Sequence, residues 1–487
     1  MVAPLTARTG QSSLALALFV APVAFLSAWV GGSSLWGPVS VVAVGLAWVH
    51  PMGVMFSLIL LTPLCRFPEG FGLTPESLAL LKSFLVLILF AVFYLKHLHQ
   101  SSPLRFPSGL KLFWGAWLSL TLLSVYTSQD IVLSLYYLIG PLAGLAFFLI
   151  FYRLPVEKHR FWLTLILCVA GAVAALALIQ YIFVTQNVGQ PFWRFIIAPG
   201  DRTFYSQGPN IINATYQFRA SGTFSHSNHL GIYIALLIPF SLVLALDRTQ
   251  SKPHKWFFWG LMILMLLGLA ATNSRAGLLA CAVGMGTVGL HQGFRWLWGL
   301  VFAGVLVAMS VYPFFPGPLE DGLNRMLRVE TRLSGRERIW REGISLIARF
   351  PWLGVGPGNL SKSYVSEFGY FVYNTVEEQN MLMETLQKKG EETTHRFHMH
   401  NLYLQLWAEM GVLGPLLFLA GALGLVFFLE RPVPQAGLFS PGRAIRIATS
   451  SSVMGFLVFG LFESQVPFSM LGLNLAVAPL LAMGIQS

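Results

Sequence analysis

Apolar residues run in long blocks along most of this chain, and short polar stretches separate them. Blocks of about 18 or more such residues are long enough to cross roughly 30 Å of hydrocarbon as helices. The pattern therefore predicts an all-α polytopic membrane protein. The first seven candidate spans fall near 13–30, 36–49, 51–65, 78–97, 110–126, 131–152 and 160–184. The rest fall near 228–246, 256–272, 275–290, 295–314, 400–430, 444–463 and 466–485. The second and third are short and meet at His50-Pro51, so they also read as one re-entrant pair. About 12–14 transmembrane helices are expected. The run from Leu14 to Val30 is long, and no small-x-small site follows it, so a retained first span is expected rather than a signal peptide.

One long interruption breaks the pattern. It divides the chain into spans over 1–314, an inserted polar segment over 315–399, and C-terminal spans over 400–487. Within the insert, Arg336 to Phe350 has amphipathic spacing, with Ile339, Trp340, Ile344 and Ile347 on one face. Ser334 and Glu337 have the spacing of a capping box, and Pro351 ends the helix. Such a helix lies along a membrane interface among lipid headgroups. Gly354-Val355-Gly356-Pro357-Gly358-Asn359 lacks the Lys-Ser/Thr of a nucleotide loop and reads as a tight turn. The acidic stretch from Glu367 to Glu392 reads as a mobile segment or a lid.

Composition sharpens this picture. Only 10% of the 487 residues are charged, 55% are hydrophobic, and mean hydropathy is +0.67. The 31 basic residues exceed the 20 acidic ones, giving +11. In a soluble protein that excess would suggest nucleic acid, but basic cytoplasmic loops account for it here. Lys96, Arg105 and Lys111 follow span four, and Arg153, Lys158 and Arg160 follow span six. Arg248, Lys252 and Lys255 follow span eight, Arg295 follows span ten, and Arg431, Arg443 and Arg446 follow span twelve. Every second short loop is basic, which places both termini in the cytoplasm. Three polar features then share the external face: the loop from Gln186 to Ser227, the turn Thr272-Asn273-Ser274-Arg275, and the insert. Cys65, Cys168 and Cys281 all lie in apolar surroundings and form neither a disulfide framework nor a zinc pattern.

The candidate chemistry gathers on that face. Arg275 has little room to be a solvated charge, and its planar donor fork suits a bidentate grip on phosphate. Arg219, in FRASGTFSHSNHLG, is a second such arginine, and Arg336 opens a helix whose N-terminal N–H groups favour an anion. The neighbouring His226 and His229 read as polar cap residues, and Asn228 reads as the cap of span eight. His400, beside Asn401 at the start of span twelve, is the side-chain type that takes a proton near neutral pH. Glu409, nine residues beyond His400 in the sequence, points to the opposite helix face and does not orient it. Glu463 is placed to pair with one of the arginines. Lys82 sits near the external end of span four. His395, His398 and His400 do not match the His-Glu-x-x-His zinc helix, so no metal and no cofactor are expected.

Four stretches resemble the O-antigen ligase and O-antigen polymerase superfamily of bacterial envelopes: RASGTFSHSNHLG, TNSRAG, SGRERIW with FPWLGVGPGN, and HNLYLQLWAEMGVLG. The likeness runs over roughly 215–425, and the His-Asn…Glu-x-Gly-x-x-Gly pattern is the most specific part. It implies an inverting, metal-independent, GT-C-like membrane glycosyltransferase in the inner membrane, working on the periplasmic face. Its donor would be an undecaprenyl-diphosphate-linked glycan, and its acceptor a glycolipid, either lipid A core or a second lipid-linked glycan. Arg219 and Arg275 match the diphosphate-binding positions, His400 the group that activates the acceptor hydroxyl, and Arg336 the basic position of the external loop. Ligase and polymerase are not separated by these motifs. A protein O-oligosaccharyltransferase is a third reading, and a small-anion transporter a fourth. A transporter would show repeated halves and charges at mid-membrane, whereas here the polar residues gather at one face.

Overall fold

The computed structural model describes residues 49–63, 75–97, 106–185, 219–247 apart from 225, 249–292, 336–360, 363, 398–431, 441–463 and 471–486, with positions 45 and 47 besides. Among these residues the chain forms thirteen α-helices and no strand. In chain order the first eight are α1 Pro51–Leu61, α2 Pro75–His97, α3 Ser108–Tyr126, α4 Ile131–Tyr152, α5 Val156–Thr185, α6 Ser227–Leu246, α7 Lys252–Ala271 and α8 Arg275–Gln292. They are followed by α9 Arg336–Arg349, α10 Leu402–Met410, α11 Leu413–Glu430, α12 Pro441–Phe459 and α13 Leu471–Gln486. Six of them, α3 to α7 and α11, are long and apolar enough to cross a membrane. The chain is an all-α polytopic membrane protein. The spans expected over 13–30 and 295–314 lie outside the described residues, as do residues 186–218, Ser334, the acidic stretch 367–392 and His395.

Helix α6 is the axis of the bundle. Apart from half-buried His229 it is buried from Ser227 to Ala245, and it packs against α5, α7, α8 and α12. Small residues permit the close crossings, as they do wherever membrane helices meet without a hydrophobic driving force. A Cβ added at Gly277 of α8 would lie 3.0 Å from the Gly231 backbone of α6. One at Gly455 of α12 would lie 2.6 Å from the Ala280 carbonyl oxygen of α8. These contacts draw three helix ends together: the start of α6, the α7–α8 turn and the end of α12.

The span expected over 400–430 is two helices, α10 and α11, broken at Gly411. That residue has φ +72°, and a Cβ there would sit 1.8 Å from the Trp352 carbonyl oxygen. The Gly354–Gly358 turn docks against this break. Val355 N–H donates to the Ala408 carbonyl at 2.9 Å, Gly356 N–H to Glu409 at 3.0 Å, and Val412 N–H to Pro351 at 2.9 Å. The two glycine motifs are therefore halves of one joint.

Helix α9 forms where expected, but its buried face is rotated. Gly343, Leu346 and Ile347 face inward with Trp340 and Phe350 half-buried, while Ile344 is 53% exposed. The inward residues pack on Met399 and Ala408, so α9 braces the segment before α10.

Candidate active site

The chain from His398 to Leu402 is laid along the end of α12. Leu402 N–H donates to the Gly460 carbonyl at 2.7 Å, and Asn401 Nδ2 donates to the Leu461 carbonyl at 3.1 Å. Met399 is held on both sides. Its carbonyl accepts from Trp340 Nε1 at 2.8 Å, and its N–H donates to Gln405 Oε1 at 3.0 Å. His400 follows with φ +47°, a left-handed conformation uncommon for a residue with a side chain. Strain of that kind persists where the surroundings over-determine it.

This placement brings His400 Nδ1 within 2.7 Å of Glu463 Oε1. The Glu463 carboxylate is 3% exposed, and its second oxygen accepts from Asn228 Nδ2 at 2.6 Å. Asn228 Oδ1 in turn accepts from Arg219 Nη2 at 2.7 Å, and Arg219 Nε donates to the Thr272 carbonyl at 3.1 Å. A continuous chain of polar contacts thus runs from the α7–α8 turn to His400. A carboxylate only accepts, so His400 Nδ1 carries the hydrogen and Nε2 carries the lone pair that takes a proton. Two of the five Arg219 N–H donors are used in this chain, and the others suit an oxyanion.

The sequence-predicted residues fall unevenly around this chain. Arg219 and His400 are its two ends. Arg275 begins α8 three residues after Thr272; it is exposed and has no hydrogen-bond partner among the described residues. Arg336 opens α9 as expected, and its side chain lies outside the described residues. Asn401 is the N-cap of α10, its Oδ1 accepting from Tyr403 and Leu404 N–H. Lys82 is buried, with Nζ donating to the Thr62 carbonyl at 3.1 Å. The adjoining Pro63 carbonyl accepts from Thr223 Oγ1, which links the Lys82 contact to the segment after Arg219.

One expectation changes and two gain detail. Glu463 bonds His400, and it is joined to Arg219 through Asn228. Asn228 does not cap its helix. His226 is the N-cap of α6, with Nδ1 accepting from Asn228 N–H, and this leaves the Asn228 side chain to bridge Glu463 and Arg219. Glu409 does point away from His400, but it is buried in the glycine joint, where Oε1 accepts from Gln405 Nε2 at 2.6 Å. Burial pushes its carboxyl up to about 7. Sequence reasoning missed the bonds of Asn228 to Glu463 and of Trp340 to Met399, since those partners lie far along the chain.

His398 stands edge-on to His400, with ring centroids 4.2 Å apart. His398, His400 and Glu463 offer one ligand atom each, all within 4.8 Å of one another. The third member of that set is 63 residues from His400, which is why the spacing within HRFHMH does not display it.

Residues 260–419 match the family model described as O-antigen ligase. That segment belongs to the O-antigen ligase/polymerase superfamily. A glycosyltransferase-type enzyme follows from this membership. The O-antigen ligase match covers the latter part of α7, α8 to α10 and the first part of α11, with Arg275, Arg336 and His400. Arg219, Asn228 and Glu463 fall outside it, although they complete the polar chain. The curated proteins include no match to this sequence.

Proposed function

We propose that this chain is an inverting glycosyltransferase that moves a glycan from an undecaprenyl-diphosphate donor to an acceptor hydroxyl. The observation that carries this reading is the chain of contacts from His400 through Glu463 and Asn228 to Arg219. It joins a group suited to take a proton to a group suited to hold a departing diphosphate.

In the reaction, the acceptor oxygen attacks the anomeric carbon while His400 Nε2 takes its proton. The bond from that carbon to the diphosphate oxygen breaks on the opposite face, so the configuration inverts. Glu463 keeps His400 in the required tautomer and stabilises the imidazolium that forms, as a buried carboxylate does in other base-assisted transfers. Arg219 and Arg275, with Arg336, hold the leaving diphosphate, whose charge grows as the bond lengthens. Diphosphate is already a good leaving group, so charge stabilisation and orientation suffice and no metal takes part. The site works on the external face of the bacterial inner membrane, and both termini are cytoplasmic. The acceptor is a glycolipid, either lipid A core or a second lipid-linked glycan.

Purified protein supplied with a lipid-diphosphate glycan tests the reading. Elongation of the donor lipid marks a polymerase, and transfer only to added lipid A core marks a ligase. Both are expected to persist in excess chelator. Neither product, from protein that binds the donor, would overturn the proposal.

A further inference from the structure

His398, His400 and Glu463 form a donor set that glycan transfer uses only in part. Two imidazoles and one carboxylate suit Zn²⁺ and neighbouring first-row ions, whereas Mg²⁺ and Ca²⁺ take oxygen ligands. Around a tetrahedral zinc with bonds of about 2.0–2.2 Å, neighbouring ligand atoms stand roughly 3.3 Å apart. The His400 Nδ1–Glu463 Oε1 pair at 2.7 Å is slightly closer than that, and the full set spans no more than 4.8 Å. His398 is exposed, so its ring can close the remaining distance without disturbing packed core. Asn228 Nδ2 already fixes the second oxygen of Glu463, the kind of outer hydrogen bond that orients a carboxylate ligand. Three protein ligands leave one tetrahedral position for water.

We infer that His398, His400 and Glu463 bind a zinc-class divalent ion, and that this ion inhibits the enzyme. The inhibition clause rests on the transfer reading above; the binding clause does not. A neutral imidazole has one N–H and one lone pair. A metal on either nitrogen of His400 therefore leaves only an N–H on the other, and the ring can no longer accept a proton. Glu463 is diverted in the same event. The positive charge of Arg219, joined to Glu463 through Asn228, opposes the ion, so the affinity expected is micromolar rather than that of a structural zinc site.

The probe is Co²⁺ titrated into metal-stripped, full-length protein in detergent, followed by displacement with Zn²⁺. One Co²⁺ per chain with the intense visible bands of tetrahedral coordination is expected. His398→Ala is expected to weaken it by at least about tenfold, and His254→Ala, at the far end of α6 and α7, to leave it unchanged. In the transfer assay, Zn²⁺ inhibits the wild type over the range in which it displaces Co²⁺. His398→Ala shifts that inhibition upward by a similar factor and keeps its zinc-free rate. Absence of tetrahedral bands, or bands that survive His398→Ala, overturns the site. Unimpaired transfer with the site filled overturns the inhibition. If no transfer occurs under any condition, the functional reading fails while the Co²⁺ spectrum still decides the site.

Discussion

Glu463 supplies something His400 lacks in its own neighbourhood: a buried acceptor that fixes which ring nitrogen holds the hydrogen. Glu463→Gln keeps the shape but presents an amide that can donate to Nδ1, which favours the wrong tautomer. The expected outcome is a fall in transfer rate of about 10²-fold or more with little change in donor affinity. Steady-state kinetics on the variant separate the two quantities. His400 and Arg275 stand out in the sequence because each lies where an apolar block begins and a polar group has few other reasons to be. Glu463 was legible as an acid at a span end, but its partner was not. Pairing across 63 residues is decided by how α12 meets the segment before α10. Asn228 was misread for a related reason, since an Asn near a helix start is a common cap, and only the Nδ1 contact of His226 shows that role to be taken.

Between the residues and the fold stands the α9 brace. Trp340 Nε1 anchors the Met399 carbonyl one residue before the left-handed His400. Trp340→Phe retains most of the packing and removes that bond. It is expected to cost about 1 kcal/mol of stability and to lower kcat while the donor KM stays unchanged, which thermal melts and kinetics together will check. The glycine joint makes a second prediction. The Glu409 carboxyl titrates at about 7 in the folded protein against its usual 4.5, so the folded state holds this proton more tightly than the unfolded one. Its contribution to stability is complete at low pH and is lost as pH rises from about 4.5 to about 7. The wild type should therefore melt at a lower temperature at about pH 8 than at about pH 5 by a margin that Glu409→Gln reduces, worth at most about 3 kcal/mol. The amphipathic period of α9 was readable, but which residues lead its inward face was not. Ile344 loses its place there because Gly343 admits the Met399 side chain. The break at Gly411 was equally hidden, since an unbroken apolar run carries no mark of a carbonyl from another segment lying against it.

At the scale of the molecule, apolar block length was enough to read an all-α polytopic membrane protein, because a bilayer leaves the backbone few alternatives. The alternation of basic loops is the ground for expecting the polar residues to gather at one face. Which helices cross closely was not readable, as it depends on Gly277 facing Gly231 and on Gly455 facing Ala280. The orientation makes its own prediction. Single cysteines introduced beside Arg275 and beside Asn401 in otherwise cysteine-free protein should label with a membrane-impermeant reagent in intact spheroplasts, and one near Arg443 should label only after lysis. The reverse pattern would invert the whole assignment. The central claim concerns proton transfer to His400, and one measurement reaches it directly. Single-turnover transfer by His400→Ala, with donor binding measured on the same preparation, should show binding close to wild type and a rate lower by about 10²-fold or more. A normal rate with normal binding would contradict the account.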